Sequence, residues 1–327
     1  MLDQVVGNEN SIRLLRSHLE APQPSYIFHG TNGVGKKYSA TQMFLELVCT
    51  GDRTPTCECN SCRQVASNTH PDLRYLVPEG ASYGIGQVQD ITDDARTYPT
   101  VAPYKFLIFE DAGTLTANAA NSLLKILEDG TPKVVFIFVL EDEDDLLPTI
   151  QSRSVSVKFS TLSLATMLDF LGRYDSDTAK VRLCANLADG SISSALKYLR
   201  DGGLAERDEA LTFIRELSRT PFHRVIDGID KCLEKGQRPE TLFYLLRHIL
   251  ADVLLLSSGL GGRVANFDKL EDLQRSRKNL GDDTVVFAVE ELNRLYMKMP
   301  LIKGTFPIHL KTAFLKVRRS IRAPNPR

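Results

Sequence analysis

At 327 residues the chain exceeds what one hydrophobic core usually organises, so two or three domains are expected. Apolar residues make up 43% and charged residues 25% of it, the composition of a globular chain and not of a disordered one. The 40 Lys and Arg nearly balance the 41 Asp and Glu, for a formal net charge of -1; this excludes a global attraction to phosphate backbones and leaves nucleic-acid contact to a local patch or to partners.

The first ten residues, Met1 to Asn10, lack the basic-then-apolar layout of a signal peptide. Residues Ser11–Glu20 read as a helix, Ser25–His29 as a short strand, and Lys36–Cys49 as a helix with Ala40, Phe44, Leu47 and Val48 on its apolar positions. Leu73–Val77, Lys105–Phe109 and Val134–Leu140 read as strands, the last two apolar enough to be central and covered on both faces. Between them, Asn118–Glu128 places Ala119, Ala120, Leu123, Leu124 and Leu127 on one helical face. Strands alternating with helices predict a parallel sheet with crossover helices.

After Phe159 the pattern is helical throughout. Segments Ala165–Gly172, Thr178–Ala188 and Ser193–Leu199 form a small unit that ends at Asp201-Gly202-Gly203. Longer helices follow over Leu204–Leu217, His223–Lys235, Glu240–Ser258, Phe267–Asn279, Asp283–Met297 and Pro307–Ile321, before a basic, Pro-containing tail expected to fray. The expected domains are residues 1–160, with an inserted cysteine module at 49–62, then 161–203 and 204–327. The longest apolar stretch, within Leu242–Leu256, is broken by Arg247, His248 and Asp252. That suits a buried helix better than a membrane span, so a cytoplasmic protein without membrane contact is expected.

Gly30-Thr-Asn-Gly33-Val-Gly35-Lys36-Lys37 lies directly between a strand and a helix, the context a phosphate-binding loop requires, because backbone N–H groups and the helix N-terminus converge there on an anion. Lys36 holds the position that reaches the outer phosphates. Lys37 stands where a Ser or Thr hydroxyl would bind magnesium, and an ammonium cannot coordinate a cation. ATP and magnesium are therefore expected to bind weakly or not at all. Glu110-Asp111 ends the Phe106–Phe109 strand in the place where an ATPase presents Asp then Glu. The reversed order leaves two readings open, residual metal binding and a solvated acidic pair.

Cys49, Cys57, Cys59 and Cys62 interleave with the turn formers Gly51, Asp52, Pro55 and Asn60. Four soft donors on one loop point to structural zinc in a reducing compartment. The tight Cys57-Glu-Cys59 spacing also leaves open a distorted or three-cysteine site. Cys184 and Cys232 sit in apolar helical settings and read as core residues. Gln151-Ser152-Arg153-Ser154 taken alone reads as an ordinary surface segment.

Together these blocks resemble the clamp-loader branch of the AAA+ family. The resemblance is carried by Val6-Gly7-Asn8, the loop at 30–37, the cysteine module, Thr69-His70-Pro71-Asp72, Asn118-Ala-Ala-Asn121-Ser-Leu-Leu-Lys125-Ile-Leu-Glu128, Phe136-Ile-Phe138 and Thr149-Ile-Gln-Ser152-Arg153. It implies an α/β, RecA-like P-loop domain, a small helical lid and a C-terminal all-α collar. Within the family the chain is similar to the delta-prime type of subunit of DNA polymerase III more than to the gamma/tau motor. It lacks the motor's hydroxyl at 37, its Asp-Glu at 110–111, its Thr near Leu140–Glu141 and its lid arginine near Gly190–Ser193. The resemblance further implies a subunit of a DNA-directed DNA polymerase assembly, with motor subunits, a clamp-opening delta subunit, the sliding clamp and primed DNA as partners. Arg153 matches the arginine that projects into a neighbour's ATP site, although Ser154 replaces the usual cysteine. An active motor ATPase and a stand-alone P-loop enzyme remain the alternatives.

Overall fold

The computed structural model describes residues 1–129, 133–200, 202–233, 239–299 and 302–321. Asp201 of the expected break, the end of the helix expected over 223–235, and the tail at 322–327 lie outside the described residues. Two compact units divide the chain: residues 1–170 with 189–194, and residues 171–188 with 195 onward.

In the first unit the order is α1 (Glu9–Ser17), β1 (Ser25–His29), α2 (Lys36–Val48), α3 (Asn60–Ala66), β2 (Leu73–Leu76), α4 (Ile85–Ala95), β3 (Lys105–Phe109), α5 (Ala117–Asp129), β4 (Val134–Leu140), α6 (Pro148–Gln151), β5 (Val155–Lys158) and α7 (Leu164–Leu171). The strands form one five-stranded sheet in the order β2-β3-β4-β1-β5. Every pairing is parallel, with Tyr26 opposite both Ile137 and Val155, and Phe106 opposite Val135. Each residue of β3 and β4 is buried, as expected for strands covered on both faces.

Alternation along each strand divides the core in two. Tyr26, Phe28, Phe106, Ile108, Val135 and Ile137 pack with Ile12 and Leu15 of α1 and Met43 and Phe44 of α2. Ile27, Leu107, Phe109, Phe136 and Phe138 pack on the other side with Val88 and Ile91 of α4 and Ala119, Ala120 and Leu123 of α5. Two helices absent from the sequence reading, α3 and α4, complete the unit. At the start of β3, the buried Lys105 ammonium donates to Thr97 Oγ1 at 2.6 Å and to Asp94 Oδ1 at 3.0 Å, tying the strand to the end of α4.

The second unit is helical: α8 (Thr178–Leu187), most of α9 (Ile192–Leu199), α10 (Ala205–Glu216), α11 (Val225–Leu233), α12 (Pro239–Ser257), α13 (Leu270–Leu280), α14 (Asp282–Lys298) and α15 (Phe306–Ser320). Cys184 and Cys232 are buried within it, in keeping with their reading as core residues. Asp252 interrupts the apolar face of α12 for a local reason. Its carboxylate accepts the backbone N–H groups of Ala265 and Asn266 at 2.9 and 2.8 Å. The buried Arg207 of α10 makes a bidentate pair with Asp268, both bonds 2.8 Å, and also donates to Asn266. Among the described residues no helix is long and apolar enough to cross a membrane.

Candidate nucleotide, arginine and metal sites

In a parallel sheet all strands end at one edge, where loops from neighbouring strands converge on a ligand crevice. At that edge lie the loop after β1, the acidic pair after β3, and Glu141 after β4. The loop is tightly enclosed. Gly30 has φ +133° and a Cβ there would lie 1.9 Å from the Phe159 carbonyl oxygen; Gly33 has φ +79° and a Cβ would lie 2.2 Å from Ser191 Oγ. The Ser193 N–H donates to the Gly33 carbonyl at 3.1 Å, so the 189–194 turn closes directly on the loop.

Four charged side chains of this crevice, Lys36, Lys37, Glu110 and Glu141, already have partners. Lys36, only 5% exposed, donates its ammonium back to the Gly30 carbonyl and, at 2.8 Å, to the Thr31 carbonyl. Burial lowers its pKa to about 8, against the pull of Glu141 and Asp111. Lys37 Nζ lies 2.5 Å from Glu110 Oε1 and 4.5 Å above the Tyr75 ring. Glu141 accepts from Asn32 Nδ2 through its side chain and from the Gly30 N–H, at 2.9 Å, through its carbonyl. Asp111 adopts φ +50° at the start of the turn Ala112–Thr114, and its carbonyl takes the Thr114 N–H at 2.9 Å.

The Lys37 ammonium holds the Glu110 carboxylate, and Glu141 brings a negative charge onto the loop; both work against magnesium-bound triphosphate there.

Arg153 stands at the opposite edge. It precedes β5, whose Val155 is level with Tyr26, while the phosphate loop begins beyond His29 and Lys158. Four strand residues at about 3.3 Å each separate the two, about 13 Å before the residues beyond either end are counted. The side chain cannot serve its own loop. It is 37% exposed and pairs with Glu128 at 2.6 Å, and its Nη1 donates to the Thr149 carbonyl at 2.9 Å and to Ser152 Oγ at 3.2 Å. Ser154, in the place of the family's cysteine, donates to the Ile150 carbonyl at 2.9 Å and meets Ser25 Oγ at 2.6 Å, which fastens α6 to the start of β1.

The four cysteines converge. Cys49 caps the C-terminus of α2, Cys57 and Cys59 lie in the following loop, and Cys62 is in the first turn of α3. All four Sγ atoms lie within 4.8 Å of one another, with Cys49 to Cys57 at 3.6 Å and Cys49 to Cys59 at 4.0 Å. A tetrahedral zinc with Zn–S near 2.3 Å requires sulfur separations of about 3.8 Å. The four thiols are thus gathered closely enough to hold one metal ion after small side-chain adjustments. Backbone N–H groups of Cys62 and Thr50 bring the Cys59 thiol down to about 6, while burial pushes Cys62 up. A metal would remove the difference by holding both as thiolates.

Several contributors were missed from the sequence. The pairing of Glu128 with Arg153, the Tyr75 ring beneath Lys37 and the contact of Ser191 with the loop carry no one-dimensional signal. The inward role of Glu141 had one, its place directly after the central strand where the motor carries Thr.

A five-stranded parallel sheet with a glycine loop after β1 and acidic residues after β3 defines a P-loop α/β protein of the AAA+ class. The family described as DNA polymerase III, delta subunit, matches residues 7–163. A DNA polymerase III subunit delta' from Bacillus subtilis is 31% identical over 277 residues, covering 82% of each chain. A subunit gamma/tau from Mycobacterium tuberculosis is 29% identical over 225 residues, 65% of this chain and 39% of its own length. Of solved structures, a gamma subunit-related protein from Thermotoga maritima aligns over 95% of this chain and 99% of its own at a TM-score of 0.46 and 16% identity. The chain belongs to the delta-prime type of DNA polymerase III clamp-loader subunits.

Proposed function

We propose that this chain works in a clamp-loader assembly as a subunit that does not hydrolyse ATP and that donates Arg153 to the ATP site of an adjacent motor subunit. One observation carries this reading: the arginine and the chain's own phosphate loop lie at opposite edges of the same sheet, so the guanidinium can meet a triphosphate only in another subunit. A guanidinium placed against a transferring phosphoryl group neutralises developing charge and is worth roughly 1,000- to 100,000-fold in rate. The Lys37–Glu110 pair supports the other half, since an internal cation sits where magnesium would be needed.

On this reading residues 1–160 form the P-loop domain, 161–203 the lid and 204–327 the collar that joins the assembly. The neighbours are gamma/tau-type motors and the clamp-opening delta subunit. Sliding clamp and primed DNA are met through the assembly, and zinc in the four-cysteine site stiffens the loop between α2 and α3. The chain acts as a rigid stator for the loading cycle.

The test is reconstitution with motor and clamp-opening subunits, followed by ATPase assays with and without this chain. The chain alone should show no magnesium-dependent turnover, and its addition should raise hydrolysis by the motors. Arg153→Ala should unfold within a few degrees of the parent, because an exposed ion pair contributes at most about 1 kcal/mol, yet should abolish most of that stimulation. Rapid turnover by the isolated chain, lost in Lys36→Ala, would instead identify an active motor.

A further inference from the structure

We infer that Glu128 is a positioning residue for Arg153, a carboxylate that holds the arginine neutralised and folded against its own subunit until a neighbouring triphosphate competes for it. The inference rests on the trans-acting reading of Arg153 and adds the device that keeps it at rest.

The geometry is specific. Glu128 lies in the last turn of α5, and Arg153 follows α6; both ends sit at the edge of the sheet where strands begin. One terminal nitrogen of the guanidinium meets Glu128 Oε1 at 2.6 Å, and the other is taken up by the Thr149 carbonyl and Ser152 Oγ. Both terminal nitrogens are therefore engaged within the subunit. These are also the atoms through which an arginine makes its bidentate contacts with phosphate.

Structural glue is a poor description of this pair. Its partners are 37% and 51% exposed, and exposed ion pairs contribute little to stability. Its chemical effect is larger than its structural one. While paired, the guanidinium presents almost no net charge to an approaching subunit, and charge is what the transferring phosphoryl group requires of it. A triphosphate carries several negative charges against the single one of Glu128, so it can win the arginine once the interface closes fully. A loose or incomplete interface cannot. Glu128 thereby sets a threshold, suppressing hydrolysis in assemblies that have not yet tightened around their substrate.

The experiment uses the whole reconstituted loader carrying Glu128→Gln, which keeps the shape of the side chain and removes its charge. Hydrolysis measured without clamp and DNA should rise by about two- to fivefold, the range an exposed pair can supply. The ratio of stimulated to unstimulated rate should fall correspondingly. The KM for ATP should fall by no more than about the same two- to fivefold, because the released arginine meets the bound triphosphate before the transition state as well as in it. The increase should shrink as ionic strength rises, since salt already weakens the parent pair. A merely structural role would move none of these. Glu128→Asp, one methylene shorter, should lie between parent and Gln variant. Arg153→Ala, run in parallel, separates the two claims. If it leaves hydrolysis intact, the trans-acting reading falls and this inference with it. If Arg153→Ala suppresses hydrolysis while Glu128→Gln lowers the unstimulated rate or leaves it unchanged, the holding role alone is overturned.

Discussion

Asp72 is fully buried, yet its charge is satisfied: one oxygen accepts the Thr100 N–H at 2.5 Å, and the other accepts the Val101 and Ala102 N–H groups, both at 2.8 Å. Burial alone would raise its pKa, but the three backbone donors prevail and hold the carboxyl below its ordinary value. A carboxyl depressed in the folded state stabilises above its unfolded pKa, near 3.9, and the contribution is lost as pH falls through the lower folded value. Asp72→Asn replaces one acceptor oxygen by a donor and turns it on at least one N–H, which should remove about 1–3 kcal/mol at neutral pH. Urea midpoints followed from pH 7 to pH 3 should show the parent losing stability toward acid and the variant changing less. Parallel curves would mean that another group sets the acid limb. His70-Pro71-Asp72 was legible as part of a family block, but the loop that Asp72 ties down was not. Its bonds go to backbone groups about thirty residues away, and backbone acceptors and donors leave no trace in residue identity. The same limit explains why Lys37 stood out from its place between a strand and a helix and Arg153 only through the family resemblance, whereas the pairing of Glu128 with Arg153 had to be seen.

Among the elements, the sheet was the most legible because β1, β3 and β4 are short, apolar and bounded by turn formers, and their observed limits agree with those read from the sequence. Helix α4 was missed although Val88, Ile91 and Ala95 recur with helical spacing; its first turn, Ile85-Gly86-Gln87, has a helix-weakening glycine and so looked like continuing loop. Helix α3 was hidden inside the cysteine module, where the thiols dominate the reading. That module makes a sharp prediction about the loop between α2 and α3. A Cβ on Gly51 would lie 2.5 Å from Cys57 Sγ, closer than atoms tolerate, so Gly51→Ala must displace the thiol. The parent should bind about one zinc per chain, and the variant markedly less, by elemental analysis of freshly reduced protein. Far-UV circular dichroism should hardly change, because the core on both faces of the sheet does not include Gly51. Full metal content in the variant would show that Cys57 is dispensable and that three cysteines suffice.

For the whole molecule, the return of residues 189–194 to the sheet-bearing unit is something no linear boundary can express, since chain order does not record which surface a turn comes back to. Net charge, by contrast, is read directly from the sequence, and it bears on what the isolated chain can do near DNA. Proteins that hold DNA by its backbone neutralise several phosphates and release counterions, which makes their affinity fall steeply with salt. Here several cations are spent internally: Lys37 on Glu110, Lys105 on Asp94, Arg207 on Asp268 and Arg277 on Asp282. With a net charge of -1 little positive potential remains to draw in a polyanion. Fluorescence anisotropy with a primed-template duplex should therefore give the isolated chain no more than non-specific affinity, a Kd of about 10 µM or weaker at physiological salt, with a shallow salt dependence. The reconstituted assembly should bind tighter and with a steeper slope if, as proposed, DNA is met through the other subunits. Tight, steeply salt-dependent binding by this chain alone would mean that it carries a DNA-contacting patch of its own, and the proposed function would have to be widened to include it.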